Sequence, residues 1–344
     1  MRKVGLILLV LALTAAFAVP ALAEKQVVRV AYVPVMHFAP LYVAKELGYF
    51  DELGLDVQLT RVKSGTACMA FLSEGKVQVG AIAVVASAWN AFQKGLDIRI
   101  VASAGLKRTE NDPTMLVVRK DLVDSGKVKT AADLKGMRVA MAGGPGSGGE
   151  YLVSKALEKS GLSVRDVKMS KIGNADMPAA FKTKSVDAGL VGSPYAYKIL
   201  KNKWGTALVK DMVPGAMTVV FVYSGQFIKD QPEAAKKFMV GLLKGSRAMQ
   251  GQKFLDSKNM AAYLKYQKAS EEAIRKSMPM LYDPNLEIKM GSLADIERTH
   301  MNNGRLTYKT PIDKKKVVDQ SFQQYAVKKL GAAKMVPPVC DATK

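Results

Sequence analysis

The apolar positions of this chain alternate between strand-like and helical spacing. Residues 27–33 (VVRVAYV) read as a strand, residues 34–38 as a loop, and residues 39–47 as a helix with Pro40 in its first turn and Gly48 at its stop. A buried strand from Asp56, a turn with helix-starting residues, an amphipathic helix and a second apolar strand to Ile82 follow. The same succession returns about 110 residues later, from Asp166 to Val191. Setting Asp56 on Asp166 brings Val57 over Val167, Leu59 over Met169, Val62 over Ile172, Ala70 over Ala180 and Phe71 over Phe181. Each copy is the strand-helix-strand unit of a parallel sheet, and two copies predict two similar α/β lobes. Clefts between domains, at the carboxyl ends of parallel strands, are where small molecules bind.

The remaining pattern sets the boundaries. A turn at residues 111–113 leads into the apolar strand 115–118, which crosses into the second lobe. A strand at 137–141, a glycine loop at 143–149 and a helix to about 159 precede the second repeat, and the apolar run 217–223 crosses back. From Asp230 the chain is mostly helical, with a start at Asp230-Gln231-Pro232-Glu233, a capping box at Ser292 and Asp295, and a stop at Asn303-Gly304. The expected division is 24–114 for the first lobe, 115–220 for the second, and 221–344 for the return to the first with the C-terminal helices.

Residues 1–23 have the form of an export signal: Arg2 and Lys3, an apolar run from Val4 to Val19, then Ala21-Leu22-Ala23, so cleavage is expected after Ala23 and the product is expected in the periplasm. The 321 residues that follow exceed the ~250 to 300 at which single cores stop growing, so two domains are expected on size alone. The formal charge is +21, and +19 without Arg2 and Lys3. Such a field favours anionic partners. Nucleic acid is not expected among them, because the lysines are spread along helices, the densest run is Lys314-Lys315-Lys316, and no motif with interleaved aromatics occurs. Cys68 and Cys340 are the only cysteines. Either they form one disulfide tying the tail to the first lobe, or Cys68 is a small buried thiol and Cys340 sits in a frayed tail.

Four loops, each after a predicted strand, should converge on the cleft: Pro34 to Phe38, Lys63-Ser64-Gly65-Thr66, the glycine loop Gly143 to Gly149, and Gly192-Ser193-Pro194-Tyr195. The second and third open helices. Two helix amino-termini from opposite lobes form an anion receptor, because free NH groups and positive dipole ends both point at the ligand. Ser64, Thr66 and Ser147 add hydroxyl donors, although Ser64 and Ser147 also suit simple capping, and Glu150 would compete with a bound anion. Met36, Phe38, Tyr195 and Tyr197 offer an apolar wall. His37 is a hydrogen-bonding candidate, and its one companion, His300 in a predicted helix, supplies no metal-ligand spacing. No cofactor is expected. Gly144, Gly146 and Gly149 satisfy a dinucleotide-binding spacing, but no acidic residue ends the next strand. Ser147 lies in no nucleophile elbow.

With these loops placed, the chain resembles the nitrate, sulfonate and taurine branch of the type II periplasmic substrate-binding proteins of ABC transporters, a group that includes thiamine-precursor binders. The segments that carry the resemblance are A-P-L-Y-V-A-K-E-L-G-Y-F-D-E-L-G-L-D-V from Ala39, A-A-D-L-K-G-M-R-V-A from Ala131, G-S-G-G-E-Y-L-V from Gly146 and V-D-A-G-L from Val186. The resemblance implies a monomer of two α/β lobes that closes on a ligand and hands it to an inner-membrane ABC permease, without catalysis. It also implies contacts from the loop before Ala39, from Ser64, Gly65 and Thr66, from the loop after Ala83 that holds Val85, and from Ser147 with Gly148. Where members often carry a Trp-x-x-Pro-like turn, this chain has Val191-Gly192-Ser193-Pro194-Tyr195. His37 is similar to a histidine of thiamine-precursor binders, whereas A-P-L-Y-V-A-K-E is similar to nitrate and bicarbonate binders. The expected ligand is a small organic anion, a sulfonate or carboxylate. The alternatives are a neutral heteroaromatic such as a pyrimidine, and an exported enzyme on the same fold.

Overall fold

A computed structural model describes residues 24–267 and 269–341; the expected export signal, with cleavage after Ala23, falls on residues outside them. The chain lays down β1 (Gln26–Tyr32), α1 (Ala39–Glu46), β2 (Leu55–Arg61), α2 (Gly65–Ser73), β3 (Val79–Ala83), α3 (Ala86–Gln93) and β4 (Ile98–Ser103). It then builds β5 (Met115–Arg119), β6 (Arg138–Met141), α4 (Gly148–Glu158), β7 (Lys168–Lys171), α5 (Met177–Lys182), β8 (Ala188–Val191), α6 (Tyr195–Lys201) and β9 (Gly205–Val209). Strand β10 (Val219–Ser224) follows, and then helices α7 (Pro232–Arg247), α8 (Glu271–Lys276), α9 (Met290–Asn302) and α10 (Ser321–Leu330).

Two five-stranded sheets result, ordered β2-β1-β3-β10-β4 and β7-β6-β8-β5-β9. Their pairings match strand for strand. In the first, β1 is parallel to β2 and β3, and β10 runs antiparallel between β3 and β4. In the second, β6 is parallel to β7 and β8, and β5 runs antiparallel between β8 and β9. The sequence repeat is therefore β2-α2-β3 and β7-α5-β8, and in each lobe the strand before the repeat inserts between its two strands. Each antiparallel insert is a segment exchanged between lobes: β5 follows the first crossing and β10 the second. The second sheet ends at Val209 and β10 lies wholly in the first, so the return crossing occupies residues 210–218.

Three apolar clusters fill the layers. One packs α1, α7 and α10 on one face of the first sheet, and another packs α5 and α6 on the outer face of the second. The cluster between them is continuous through both lobes, from Ala31, Ile82 and Trp89 to Val139, Tyr151 and Leu293. Helix α9 bridges the lobes as well. Its Asp295 accepts from Tyr151 Oη of α4 at 2.8 Å and Lys155 Nζ at 3.1 Å, while His300 Nε2 lies 3.4 Å from Val84 O of the first lobe. The capping box expected at Ser292 does not form, because α9 starts earlier, at Met290. Ser292 Oγ instead accepts from Met217 N at 3.1 Å, fastening the return crossing.

Cys68 and Cys340 carry no disulfide. Cys68 packs in the inter-lobe cluster, with Sγ directed at Ala31 O at 3.6 Å. The tail lies against the opposite face of the same sheet, where Val339 joins the other cluster and Val336 O accepts from Gly251 N. Cys340 is fully buried there rather than lying in a frayed tail, and no disulfide joins it to Cys68. Burial pushes the Cys68 thiol up to about 12, so it stays protonated and unreactive at neutral pH. Ellman titration of the native protein should find Cys68 silent for as long as the fold persists, and unfolding without reductant should release two thiols. A single slow-forming disulfide in the oxidised protein would contradict this arrangement.

Candidate functional site

The carboxyl ends of β1, β2, β3, β6 and β8 open toward one another, and the loops beyond them enclose a cavity of about 130 Å³ between the lobes. That is close to the ~150 Å³ of an engineered cavity that admits benzene. The structure brings His37, Phe38, Ser64, Gly65, Thr66, Val85, Ser147, Gly148, Ser193 and Tyr195 to its wall. Met36 is not in that wall. It belongs to the first-lobe core and borders a smaller neighbouring cavity, with its carbonyl accepting from Tyr282 Oη at 2.7 Å. Tyr197 also points elsewhere, donating from its exposed hydroxyl to Glu272 at 3.1 Å.

Two helix starts face the cavity from opposite lobes. Ser64 caps α2, its Oγ accepting from Ala67 N at 3.3 Å, and Ser147 caps α4, its Oγ accepting from Glu150 N at 3.2 Å. As acceptors in the caps, both hydroxyls keep their own protons for another partner. The NH groups of Gly65, Thr66, Gly148 and Gly149 have no acceptor among the described residues, as first-turn NH groups do not. The third helix start, at Val85, is used differently. Ala86 N donates to Gly146 O of the opposite lobe at 2.8 Å, so the start of α3 holds the lobes together. Gly143, Gly144 and Gly146 take left-handed φ values of 84°, 69° and 74°, which lets the loop turn back over α3.

Glu150 does not compete with an anion. It is fully buried, and its carboxylate turns back to accept from Gly146 N at 2.6 Å and from Arg305 Nε and Nη2 at 3.0 and 2.8 Å. The paired carboxylate thus organises the glycine loop while its charge is met by Arg305. Local sequence had no access to this, since Arg305 is 155 residues away.

The structure adds wall residues that the sequence reading did not single out. Thr114, just before β5, is buried with its Oγ1 unpartnered, Thr218 enters from the end of the return crossing and Val219 from the start of β10. Asn174 sits at the start of the turn before α5, at the place in the second repeat where Ser64 lies in the first. Lys63, from the second of the expected loops, brings a positive charge to the wall. Burial holds the Tyr195 hydroxyl's pKa above its ordinary value, and the Arg61 guanidinium offsets only part of that rise. Behind His37 lies Lys107, itself buried in an ion pair with Asp112 at 3.3 Å. Among the described residues no cluster of three or more His, Cys, Asp or Glu side chains could hold a metal ion.

Enclosure by protein, and then the charge of Lys107, hold His37 well below its usual range, so its imidazole is neutral at pH 7. Burial likewise lowers His300, outweighing its contact with Val84 O. A histidine that stays neutral when folded but protonates when unfolded gives stability that is present above its unfolded value, near 6.5, and is lost as pH falls toward the folded value. Urea unfolding should therefore show stability falling between pH 6.5 and 5, by at most about 1.4 kcal/mol per pH unit for each histidine. Carboxylates such as Asp187, held low by Arg138, titrate below that window. A flat profile there would mean that both rings take up protons in the fold as readily as in the unfolded chain.

Comparison with known proteins places this geometry. A provisionally named binding protein of Brucella abortus is 25% identical over 314 residues, 86% of this chain and 91% of its own length. The alkanesulfonate-binding protein SsuA of Xanthomonas axonopodis pv. citri, solved with MOPS bound, superposes with a TM-score of 0.69 at 17% identity, over 87% of this chain and 100% of that one. The periplasmic nitrate-binding protein NrtA of Synechocystis PCC 6803 does so with 0.71 at 16%, over 90% of each chain. The desulfurization enzyme DSZB has the fold too, with a TM-score of 0.63 at 14% identity over 89% of this chain and 100% of that one. The fold is that of the two-lobed type II periplasmic binding proteins, and the profile that matches residues 21–265 assigns the chain to the NMT1-like family.

Proposed function

We propose that this protein is the ligand-capturing component of an ABC importer, which works in the periplasm, closes its two lobes on a small organic anion and delivers it unchanged to a membrane permease. One observation carries the reading: the α2 and α4 amino-termini confront each other across the cavity between the lobes, with four NH groups and two hydroxyl protons unused among the described residues. Such an array binds the oxygens of a sulfonate or carboxylate by dipole and hydrogen bond without a cationic clamp. Lys63 and the basic surface add long-range attraction. The resemblance in fold to sulfonate- and nitrate-binding proteins supports the same class.

The test is identification by mass spectrometry of the ligand that co-purifies, followed by titration calorimetry with it. An anion, recovered chemically unchanged, with affinity that weakens as salt is added, is the expected result. Ser147→Ala should weaken it about tenfold, since a hydrogen bond to a charged group is worth about 1.5 kcal/mol or more. Turnover of the ligand would overturn the binding role. The neutral His37 beside Phe38 and Tyr195 supports one second reading, an uncharged heteroaromatic, for which binding would be indifferent to salt and dependent on His37.

A further inference from the structure

The cavity has a neighbour. A second, smaller space of about 30 Å³ lies behind His37, bordered by Met36, Met278, Met280, Phe254 and Ile274. The two spaces share His37, Thr114, Gly192 and Ser193 as their common partition. That partition is thin, because two of its members carry no side chain or only a hydroxymethyl group. Its backbone is pinned where Ser193 N donates to Pro113 O at 3.1 Å, but the Thr114 hydroxyl between the two spaces is buried with no hydrogen-bond partner among the described residues. The far wall is held by the backbone. Arg108 Nη1 donates to Pro279 O at 3.3 Å, and Tyr282 Oη reaches Met36 O. The wall's three methionines are flexible side chains that repack around an apolar guest. No carboxylate borders either space, so neither would compensate an ammonium group.

We propose that the second space is a subsite for the apolar tail of the ligand. The head of the anion sits between α2 and α4, its chain passes His37 and Thr114, and its uncharged hydrocarbon end lies among the methionines. The inference rests on the anion reading and makes it narrower: the ligand is a linear, unaminated amphiphile rather than a compact anion.

Calorimetry with the n-alkanesulfonates from ethane- to octanesulfonate separates the two claims. Affinity is expected to rise about fourfold per methylene from propane- to hexanesulfonate, as burial of each CH₂ predicts, and then to level off. Taurine should bind at least tenfold more weakly than ethanesulfonate. Met278→Trp, at a half-exposed position in the far wall, should flatten the series beyond propanesulfonate while ethanesulfonate keeps its affinity. Met278→Ala should move the best length upward by one or two carbons. Binding of ethanesulfonate with a series flat within threefold would overturn the tail subsite and leave the anion reading standing. Failure of every sulfonate and of the matching carboxylates to bind would overturn both.

Discussion

Replacing Arg305 by alanine is expected to cost about 3 kcal/mol of folding stability and to weaken anion binding as well. Glu150 is completely buried, and Arg305 is the cation that meets it. Removing one partner of a buried pair leaves an uncompensated charge, at a cost of about 3 to 5 kcal/mol. The lower end applies here because the arginine side chain is 29% exposed and solvent reaches that side of the pair. The effect on binding follows from position. Glu150 lies in the first turn of α4, so its unpaired carboxylate would oppose a second negative charge at the same helix end. In a Glu150→Gln background the same arginine substitution should cost far less, and the double-mutant cycle in urea gives the coupling directly. A loss below about 1 kcal/mol for Arg305→Ala alone, with unchanged affinity, would mean that the carboxylate does not depend on its partner.

The second large effect is steric and acts on closure. Gly148 opens α4 at the point where the lobes touch, and a methyl group there would lie 2.7 Å from Cβ of Ala83 on the opposing lobe. Neither atom can rotate away, since each is fixed to its backbone, so contact must be relieved by moving one lobe. Overpacking of this kind costs about 1 to 3 kcal/mol, and here it falls on the closed state alone. Gly148→Ala is expected to weaken ligand binding roughly thirtyfold with little change in the unfolding transition of the unliganded protein. Ala83→Gly in the same chain should restore most of the affinity. Rescue by that distant, smaller residue distinguishes lost closure from a damaged helix start, which Ala83→Gly would not repair.

What the sequence showed of this architecture depended on the range of the interactions involved. The repeat from Asp56 and Asp166 was legible because strand alternation and helix caps are local, and both copies appear as strand-helix-strand units at the expected places. The same locality brought Ser64 and Ser147 to notice as helix starts. It failed where a partner lies far along the chain. The capping-box pattern at Ser292 is sound as a sequence motif, yet its hydroxyl is taken by Met217 N and Asp295 by Tyr151 and Lys155. The sign of Glu150's influence was misread for the same reason, and Thr114 and Thr218 went unmarked because crossing segments carry no periodic pattern. The possible disulfide is not formed, and cysteine counting does not reveal that each cysteine is buried without the other.

The exchange of β10 into the first sheet also sets an order of assembly. In that sheet β4 is bonded laterally to β10 alone, apart from a bridge between Ile100 and Val318. Both partners are synthesised after the whole of the second lobe. The first lobe, though it comes first in the chain, is thus the last to complete its sheet. Contacts so distant in sequence are slow to form, because the intervening loop must be closed before they reward it. A growing chain consequently remains without its finished amino-terminal lobe until residue 224 has appeared, however early in the sequence that lobe begins.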